Sequence, residues 1–268
     1  MPVSGIRRKD RVSVPRVQRS KRLNQMVSAV VESKSLDVRT LSEMFGVSQA
    51  TVRRDLEFLE QQRLVRRTHG GATPHAAFHD LPFSYKTAQD RPEKRRIAER
   101  ALACLDHARV IGMTGGTTVS EFASLLSGLE GLTVVTSALN IATQLAGSPG
   151  LRVFAAGGEV RGSSTEAVGP SAEAFLSGYN LDVAILGIDG VDAIAGCTCY
   201  DPVGARVNGV LHQRARMTVV LADATKISRV ALAPVCAMSE VDLLITDSRA
   251  DGAALAAIRR QDCEVVCV

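Results

Sequence analysis

The sequence predicts an α/β protein with two domains: a small, basic, helical domain followed by a larger domain with a mostly parallel sheet. Its length is one reason, because 268 residues is long for one domain and short for three. The second reason is that short β-branched runs alternate with Ala-rich stretches only after residue 93. Charge is the third, because residues 1–76 carry a net charge of +8 and the remaining 192 residues carry −4. We therefore expect the first domain to bind a polyanion.

The composition excludes two classes of protein. Hydrophobic residues make up 46% of the chain, aromatic residues 4%, and Trp is absent, so the core is built from Ala, Val, Leu and Ile. Such a chain is not intrinsically disordered. No run approaches the roughly 20 apolar residues that cross a bilayer, and no apolar segment follows the basic N-terminus. We expect a soluble cytoplasmic protein with no membrane partner.

The cysteines do not form a metal-binding pattern. None belongs to a Cys-x-x-Cys motif or accompanies a histidine pair at the spacing of a zinc site. Their apolar neighbours indicate burial, so we expect no metal site and no cofactor. The six cysteines are Cys104, Cys197, Cys199, Cys236, Cys263 and Cys267.

The chain begins with a segment that lacks the signals of regular structure. Residues 1–19 are rich in Arg, contain two prolines and show no sustained periodicity, which indicates a flexible basic arm. The arm is either a solvated tail or a contact to DNA phosphates. Ser20 is a candidate N-cap for a first helix that extends to about Ser33, with one apolar face.

Two further helices follow at short intervals. Thr40 is a candidate cap for a short helix, Leu41–Phe45, which must stop at Gly46. Ser48 is a candidate cap for a third helix that runs to about Gln62. A helix, a short helix, a turn that contains glycine and a third capped helix form the helix-turn-helix pattern.

The third predicted helix has a polar face that could enter a DNA groove. Two arginines and an amide point away from its apolar stripe, and two hydroxyls at its N-terminus could donate to a phosphate. The alternative is an ordinary solvated helix face. Leu64–Thr68 followed by His69-Gly70-Gly71 predicts a short hairpin beside this helix, which is a wing and favours DNA binding. The candidate DNA contacts are Ser48, Gln49, Ala50, Thr51, Arg53, Arg54, Arg67 and His69, with Glu57 on the same outward face.

Three segments carry a specific family resemblance: Val47–Leu56, Leu59-Glu60 and Arg67–Ala72. Their residues resemble, in order and spacing, the N-terminal signature of the DeoR family of bacterial transcriptional regulators. The resemblance implies a winged helix-turn-helix domain over residues 20–75, with its motif over residues 36–55. It continues through Leu81-Pro82-Phe83, similar to the family's connector, which we place at residues 76–92. Lys94, Ile97 and Ala98 resemble the first helix of the family's sensor domain, which we place at residues 93–268.

The second domain shows the pattern of a parallel sheet that is covered on both faces. Its strand candidates are continuous apolar runs rather than alternating ones. They are Arg109–Met113, Leu132–Val135, Leu151–Ala155, Asp182–Ile188, Met217–Ala222, Asp242–Thr246 and Glu264–Val268.

The ends of five of these strands suggest a ligand site, because ligands of such sheets bind at the carboxyl ends of the strands. Gly115–Thr118 opens a helix directly after the first strand, as in a phosphate cradle, although such glycine turns also occur for steric reasons alone. We expect the five strand ends to form one polar rim, in which Lys226 is the cation for a phosphate. The candidate effector-binding residues are Gly115, Gly116, Thr117, Thr118, Thr136, Ser137, Gly157, Gly158, Asp189, Asp223 and Lys226.

These loops also resemble the sensor domain of the same family, which is related in fold to ribose-5-phosphate isomerase and usually binds phosphorylated sugars. Where the family commonly has a Glu a few residues before a Lys-Arg pair, this chain has Gly204, Asn208 and Gly209. The rim therefore lacks a carboxylate and a cation of the usual pattern. Thr136-Ser137-Ala138 also lacks the Asn that often follows the Thr.

The resemblance implies a sequence-specific DNA-binding regulator, a repressor of a carbohydrate-metabolism operon that is controlled by a phosphorylated sugar or a related metabolite. Its partners would be a double-stranded DNA operator and that metabolite. Helix-turn-helix proteins read two-fold sites, so we expect a homodimer or homotetramer, associated with the nucleoid. We expect no catalytic residues and no enzymatic activity. The alternative is a sugar-phosphate isomerase or CoA-transferase-like enzyme with an appended DNA-binding module, in which Asp189 or Asp223 would serve as base. An oligomeric scaffold is a third possibility, but it leaves the wing pattern unexplained.

Overall fold

A computed structural model describes residues 16–61, 64–74, 87 and 90–268. The chain divides into two compact units, Met1–His79 and Asp80–Val268. Most of the predicted arm and the predicted connector, including Leu81-Pro82-Phe83, lie outside the described residues.

The described residues of the first unit form three helices and a small antiparallel sheet. Its sheet has the strand order β1-β3-β2, so the predicted wing hairpin is confirmed and gains a third strand from the segment before the second helix. The elements are α1 (Arg16–Ser33), β1 (Leu36–Asp37), α2 (Val38–Phe45), α3 (Gln49–Gln61), β2 (Val65–Arg67) and β3 (Gly71–Pro74).

The structure corrects two predicted helix starts. α1 begins at Arg16, so Ser20 lies inside the helix and is not its N-cap. α2 begins at Val38, because Asp37 caps it: one carboxylate oxygen of Asp37 accepts the Thr40 N–H at 2.8 Å and the other accepts the Thr40 hydroxyl at 2.9 Å. Thr40 therefore donates to the cap and is not the cap itself. These bonds lower the pKa of Asp37.

The ends of the second and third helices follow the prediction. α2 ends at Gly46 in the left-handed conformation, with φ of 61°. The Ser48 hydroxyl accepts the Thr51 N–H at 3.2 Å, as an N-cap does. Apolar side chains from all three helices form the buried core of this unit, among them Met26, Leu41, Val52 and Leu56.

The second unit is organised around a seven-stranded sheet of order β15-β14-β12-β9-β4-β5-β6, in which every neighbouring pair is parallel. All seven predicted strands are present. The strands of this sheet are β4 (Val110–Met113), β5 (Leu132–Thr136), β6 (Leu151–Ala155), β9 (Leu181–Leu186), β12 (Ala215–Leu221), β14 (Leu243–Thr246) and β15 (Glu264–Cys267).

Helices cover both faces of this sheet and bury two apolar clusters, one on each side. This is why the strands read as continuous apolar runs. The helices are α4 (Arg91–Ala101), α5 (Thr117–Leu126), α6 (Leu139–Leu145), α7 (Pro170–Ser177), α8 (Pro202–Arg214) and α9 (Gly252–Arg259), with 3₁₀ turns at Leu102–Leu105, Ala224–Lys226 and Met238–Glu240.

Two smaller antiparallel elements, absent from the sequence prediction, lie beside the large sheet. One is the hairpin of β7 (Glu159–Arg161) and β8 (Glu166–Val168). The other is a sheet of β10 (Gly190–Asp192), β11 (Gly196–Cys199) and β13 (Ala233–Cys236). Their strands are only three or four residues long, too short for a clear sequence pattern.

Candidate functional site

The polar face of α3 is exposed to solvent. Gln49, Ala50, Arg53, Arg54 and Glu57 are all exposed, as predicted. The opposite face buries Val52, Leu56 and Leu59 against the other helices. Both arginines therefore lie on a solvent-facing surface of a helix that has the position of a recognition helix.

Hydrogen bonds connect the two polar side chains at the N-terminus of α3. The hydroxyls of Ser48 and Thr51 lie 3.0 Å apart and share one hydrogen bond, and Ser48 also accepts the Thr51 N–H. Both hydroxyls thus close the first turn of the helix. The shared bond uses only one of the two hydroxyl hydrogens, so the other hydroxyl can donate to a DNA phosphate without giving up a bond.

The wing is attached to α3 by a hydrogen bond. The backbone N–H of Arg67 donates to Glu60 Oε1 at 2.9 Å, while the Arg67 side chain is exposed. His69 lies in the turn of the hairpin and is also exposed. The wing and the polar face of α3 therefore present cations within one domain.

A buried carboxylate links α1 to α3. Asp55 is only 2% exposed and lies within 2.8 Å of Arg22 Nε and 3.4 Å of Arg19 Nε. Arg19 also lies over the ring of Phe58, 5.4 Å from its centroid. Two arginines that contribute to the basic charge of this domain thus have an internal role. The sequence contained a signal for this contact, because Asp55 is an acidic residue next to Leu56 on the apolar side of the predicted helix.

The second candidate site is an open cavity at the carboxyl ends of β4, β9 and β12. These strands are neighbours in the sheet. The chain leaves β4 toward β5 and β6 on one side and returns through β9 on the other, so the cavity lies where the strand order reverses. Open α/β sheets bind ligands at this position.

The glycine loop after β4 forms one wall of the cavity. Gly116, with φ of 112°, is the N-cap of α5, and Thr117 and Thr118 form the first helical turn. The first N–H groups of a helix have no acceptor inside the helix, so this end favours an anion. Gly187 allows the loop after β9 to pack here, because a Cβ at this position would overlap the Gly115 carbonyl.

The turn after β12 brings Lys226 to the cavity. Asp223 caps this turn by accepting the Thr225 N–H at 3.0 Å. Asp247, at the end of β14, accepts the Ala224 N–H at 2.8 Å. Asp223, a predicted effector contact, thus lines the cavity and also holds this turn in place.

Asp189 lines the cavity as predicted, and it also joins two loops. Its Oδ2 accepts the Tyr200 N–H at 3.1 Å. Seven predicted effector residues thus lie together around one cavity: Gly115, Gly116, Thr117, Thr118, Asp189, Asp223 and Lys226.

Four predicted residues do not line this cavity: Thr136, Ser137, Gly157 and Gly158. The expectation of a single rim over five strand ends is corrected here, because β5 and β6 lie beyond β4 in the sheet. The β7–β8 hairpin pairs with the segment after β5, where the Ala167 N–H donates to the Ser137 carbonyl at 2.8 Å. The Thr136 hydroxyl donates to the Met113 carbonyl at 2.7 Å and so has a structural bond.

The β7–β8 hairpin contributes two charged residues that the sequence prediction missed. Arg161 lies 3.0 Å from Asp201 and 3.4 Å from Glu166. Glu166 is 8% exposed, and its Oε1 accepts the Gly115 N–H at 2.8 Å. A sequence signal was present, since an Arg and a Glu flank the turn-forming segment Gly162-Ser163-Ser164-Thr165.

The positions that depart from the family pattern lie on α8. Gly204 lines the cavity, and a Cβ there would lie 3.6 Å from Arg161 Cζ, so Arg161 passes over this glycine. Asn208 also lines the cavity, is 6% exposed, and donates weakly to Cys199 Sγ at 3.4 Å. Gly209 does not line the cavity.

The cavity is acidic overall. Among the described residues, its charged lining consists of the cations Arg161 and Lys226 and the anions Glu166, Asp189, Asp201 and Asp223. Their formal charges sum to −2. Burial raises the pKa of Cys199, and the negative charges of Asp189 and Glu166 raise it further, so this thiol is neutral at pH 7.

Two kinds of feature are absent from the part of the chain that the structure describes. No group of His, Cys, Asp or Glu side chains there has an arrangement that could hold a metal ion. No helix there combines the length and the apolar character that a bilayer span needs.

Both units match known families. Residues 22–76 match the family described as DeoR-like helix-turn-helix domain, and residues 89–248 match the DeoR C terminal sensor domain. The chain is 32% identical to the HTH-type transcriptional regulator GlpR of Haloferax volcanii, over 87% of this chain and 91% of that protein. It is 30% identical to the glycerol-3-phosphate regulon repressor of Escherichia coli K12, over 87% and 92%. Ribose 5-phosphate isomerase A from Methanocaldococcus jannaschii matches 51% of this chain and 54% of its own, at 18% identity and a TM-score of 0.38.

Proposed function

We propose, because this chain belongs to the DeoR family of DNA-binding transcriptional regulators, that it represses an operon of carbohydrate metabolism and that a phosphorylated sugar or related metabolite changes its affinity for the operator. Relatives that cover most of the chain carry the name of repressor, among them the putative aga operon transcriptional repressor of Escherichia coli O157:H7. Membership of the family gives the DNA-binding role, whereas the regulated operon and the metabolite are part of our proposal.

The contact to DNA is assigned to α3 and the wing. Arg53 and Arg54 are exposed on α3, and Arg67 and His69 are exposed on the wing. Arginine recognises guanine through two parallel hydrogen bonds in the major groove, and it also contacts phosphates. Ser48 and Thr51 at the start of α3 are proposed to donate to the DNA backbone.

One observation carries the assignment of the effector site. The first turn of α5 and Lys226 lie around the same cavity, so helix N–H groups, threonine hydroxyls and an ammonium surround one space. This combination suits a phosphate group. The rest of a small sugar would occupy the space toward Asp189 and Asn208.

The enzymatic alternative is less favoured by the geometry. Asp223 already accepts the Thr225 N–H, and Asp189 accepts the Tyr200 N–H. Each of these carboxylates therefore already has a backbone partner and a structural role in its own loop. We therefore propose that the cavity binds its ligand without turning it over.

We further propose that the protein acts in the cytoplasm, on nucleoid DNA, as a homodimer or homotetramer. A two-fold operator requires two copies of α3 at a fixed spacing, which one chain cannot supply. Sedimentation of the full-length protein with and without operator DNA measures this assembly.

A thermal-shift screen of the full-length protein against phosphorylated sugars of three to six carbons tests the effector, because a ligand that binds the folded state raises its melting temperature. The same sugars without phosphate are the matched controls. A shift with a phosphorylated sugar, absent with its control, supports the proposal. The absence of any shift across the panel contradicts it. Incubation of the protein with the ligand that binds, followed by analysis for an isomerised product, tests the enzymatic alternative.

A further inference from the structure

We propose that Arg249 couples the effector cavity to the start of α4, the first helix that the structure describes after the DNA-binding domain. Arg249 is a positioning residue between two carboxylates, Asp247 on the side of the cavity and Asp90 on the side of α4. The inference rests on the proposed function, because it concerns how a bound effector changes the affinity for the operator.

The connection begins at the turn that carries Lys226. The Ala224 N–H, at the start of this turn, donates to Asp247 Oδ2 at 2.8 Å. Asp247 is fully buried and lies behind the cavity lining, to which Lys226 belongs. Because the turn is only three residues long, a shift of Lys226 toward a bound phosphate reaches Asp247 through the Ala224 N–H.

Arg249 joins Asp247 to a residue that is far away in the sequence. Its Nε donates to Asp247 Oδ1 at 2.7 Å and its Nη2 donates to Asp247 Oδ2 at 3.3 Å, so both oxygens of the buried carboxylate are held. Its Nη1 donates to Asp90 Oδ1 at 2.7 Å, across 159 residues of sequence. One planar guanidinium therefore sets the distance between the two carboxylates.

Asp90 has an unusual conformation for its position. It is the N-cap of α4, but its side chain makes no cap hydrogen bond and its backbone is left-handed, with φ of 49° and ψ of 33°. An aspartate at an N-cap ordinarily has an extended backbone and accepts an N–H of the first turn, as Asp37, Asp201 and Asp251 do in this chain. Once released from Arg249, Asp90 can take that extended conformation and cap α4. It therefore has two discrete states, which differ in the direction in which the chain enters the helix.

The pair between Arg249 and Asp90 can break at little cost. The Arg249 side chain is 45% exposed and that of Asp90 is 28% exposed, and ion pairs at such positions contribute little to stability. The left-handed backbone of Asp90 is itself disfavoured for a residue with a Cβ. A small displacement of Arg249 by a bound effector is therefore enough to shift Asp90 between its two states. The chain arrives at α4 from the DNA-binding domain, so Asp90 is where the effector signal leaves the second unit.

Asp90→Asn in the full-length protein separates this coupling from ligand binding. Asparagine tolerates the left-handed conformation and can cap a helix, but it loses the charge-assisted pair. Calorimetry with ribose 5-phosphate, fructose 6-phosphate and glycerol 3-phosphate identifies a probe that binds the wild type and gives its affinity for the variant. Fluorescence anisotropy with an operator duplex selected from a random pool then gives the dissociation constant of the operator with and without saturating probe.

We expect the probe to bind Asp90→Asn within about twofold of its affinity for the wild type. In the wild type the probe should change the dissociation constant of the operator at least about fivefold, and in Asp90→Asn less than about twofold. A pair that only stabilises the fold would not move this response while ligand binding stays intact.

Two more variants complete the design. Arg249→Lys keeps a cation beside Asp247 but lacks the planar fork that binds both carboxylates, so we expect the same loss of response. Glu99→Gln is the control, because it breaks an exposed pair with Arg95, at 2.8 Å on the same helix, and should keep the full response. The melting temperature of each variant shows that it is folded.

A full response in folded Asp90→Asn or Arg249→Lys overturns the inference while the proposed function stands. A loss of probe binding in Asp90→Asn also overturns it, because Asp90 then supports the cavity itself. If no probe binds the wild type, or if none that binds changes its affinity for the operator, the proposed function fails and the inference fails with it.

Discussion

Arg22 Nε donates a hydrogen bond to Asp55 Oδ2 at 2.8 Å, so a carboxylate that is 2% exposed connects the first helix of the DNA-binding domain to the helix that carries Arg53 and Arg54. This pair fixes the position of α3 without using its outward face. The outward face of α3, which is the proposed DNA contact, therefore depends on a residue that points away from it.

Replacing Asp55 with Ala should destabilise the DNA-binding domain by about 2 to 3 kcal/mol, because the change leaves Arg22 partly buried without its partner. Urea unfolding of the full-length protein, followed by circular dichroism, measures this loss. Glu57→Ala on the exposed face of the same helix is the control and should change stability little. Equal stability of the Asp55 variant and the wild type would show that the pair does not hold α3.

Replacing Arg53 or Arg54 with Ala should weaken operator binding by about 1 to 3 kcal/mol if the lost contact is to a base, with little change on unrelated DNA. If the lost contact is to a phosphate, binding to the operator and to unrelated DNA should both weaken. The slope of the logarithm of the binding constant against the logarithm of the salt concentration should then become shallower by about one unit. Fluorescence anisotropy over a range of salt concentrations distinguishes the two. Unchanged binding by both variants would remove α3 from the groove.

Replacing Lys226 with Met should weaken binding of the phosphorylated effector about ten- to a hundredfold, because a charge-assisted hydrogen bond is worth about 1.5 to 3 kcal/mol. Gly116→Val should also weaken binding, since its φ of 112° disfavours any residue with a Cβ. Arg260→Met removes an exposed cation outside the cavity and is the control. Effector affinity is measured by calorimetry. If Lys226→Met and Gly116→Val both bind the effector with wild-type affinity, the glycine loop and Lys226 are excluded as the phosphate site.

The stability contributed by Asp247 should depend on pH. Burial alone would raise the pKa of Asp247, but hydrogen bonds from the Arg249 side chain and from the Ala224 and Arg249 N–H groups lower it below the ordinary value of 3.8. A carboxyl whose pKa is lower in the folded state stabilises the fold above its unfolded pKa and loses that contribution as pH falls through the folded pKa.

Asp247→Asn should therefore lower the free energy of unfolding at pH 7, and the difference from the wild type should shrink as the pH falls below about 4. Urea unfolding across this pH range measures the difference. Asp262→Asn, at an exposed position, is the control. If the difference in the free energy of unfolding between Asp247→Asn and the wild type stays constant down to the lowest pH measured, the proposed role of the charged carboxylate is wrong.

The sequence predicted those parts of the protein that depend on local patterns. Continuous apolar runs located the seven parallel strands, because both faces of the sheet are buried. The loop at Gly115–Thr118 and the turn with Lys226 were found because each motif follows its strand directly. Asp37, not Thr40, caps α2, since both residue types favour caps and only the backbone path distinguishes them.

The missed parts of the site depend on contacts between distant segments. Glu166 reaches Gly115 only because the β7–β8 hairpin pairs beside Ser137, 29 residues earlier in the chain. Thr136 was assigned to the cavity because the carboxyl ends of parallel strands share one edge. The strand order places β5 on the far side of β4, and no local pattern of residues encodes that order.

The effect of a bound effector on DNA affinity tests the central claim most directly. Anisotropy titrations of an operator duplex, selected with the full-length protein from a random pool, should give a dissociation constant that changes at least about fivefold when the sugar phosphate found in the screen is present. Lys226→Met should bind the same duplex with wild-type affinity and show no such change at the same ligand concentration. An operator affinity that is identical with and without saturating ligand in the wild type would contradict the account.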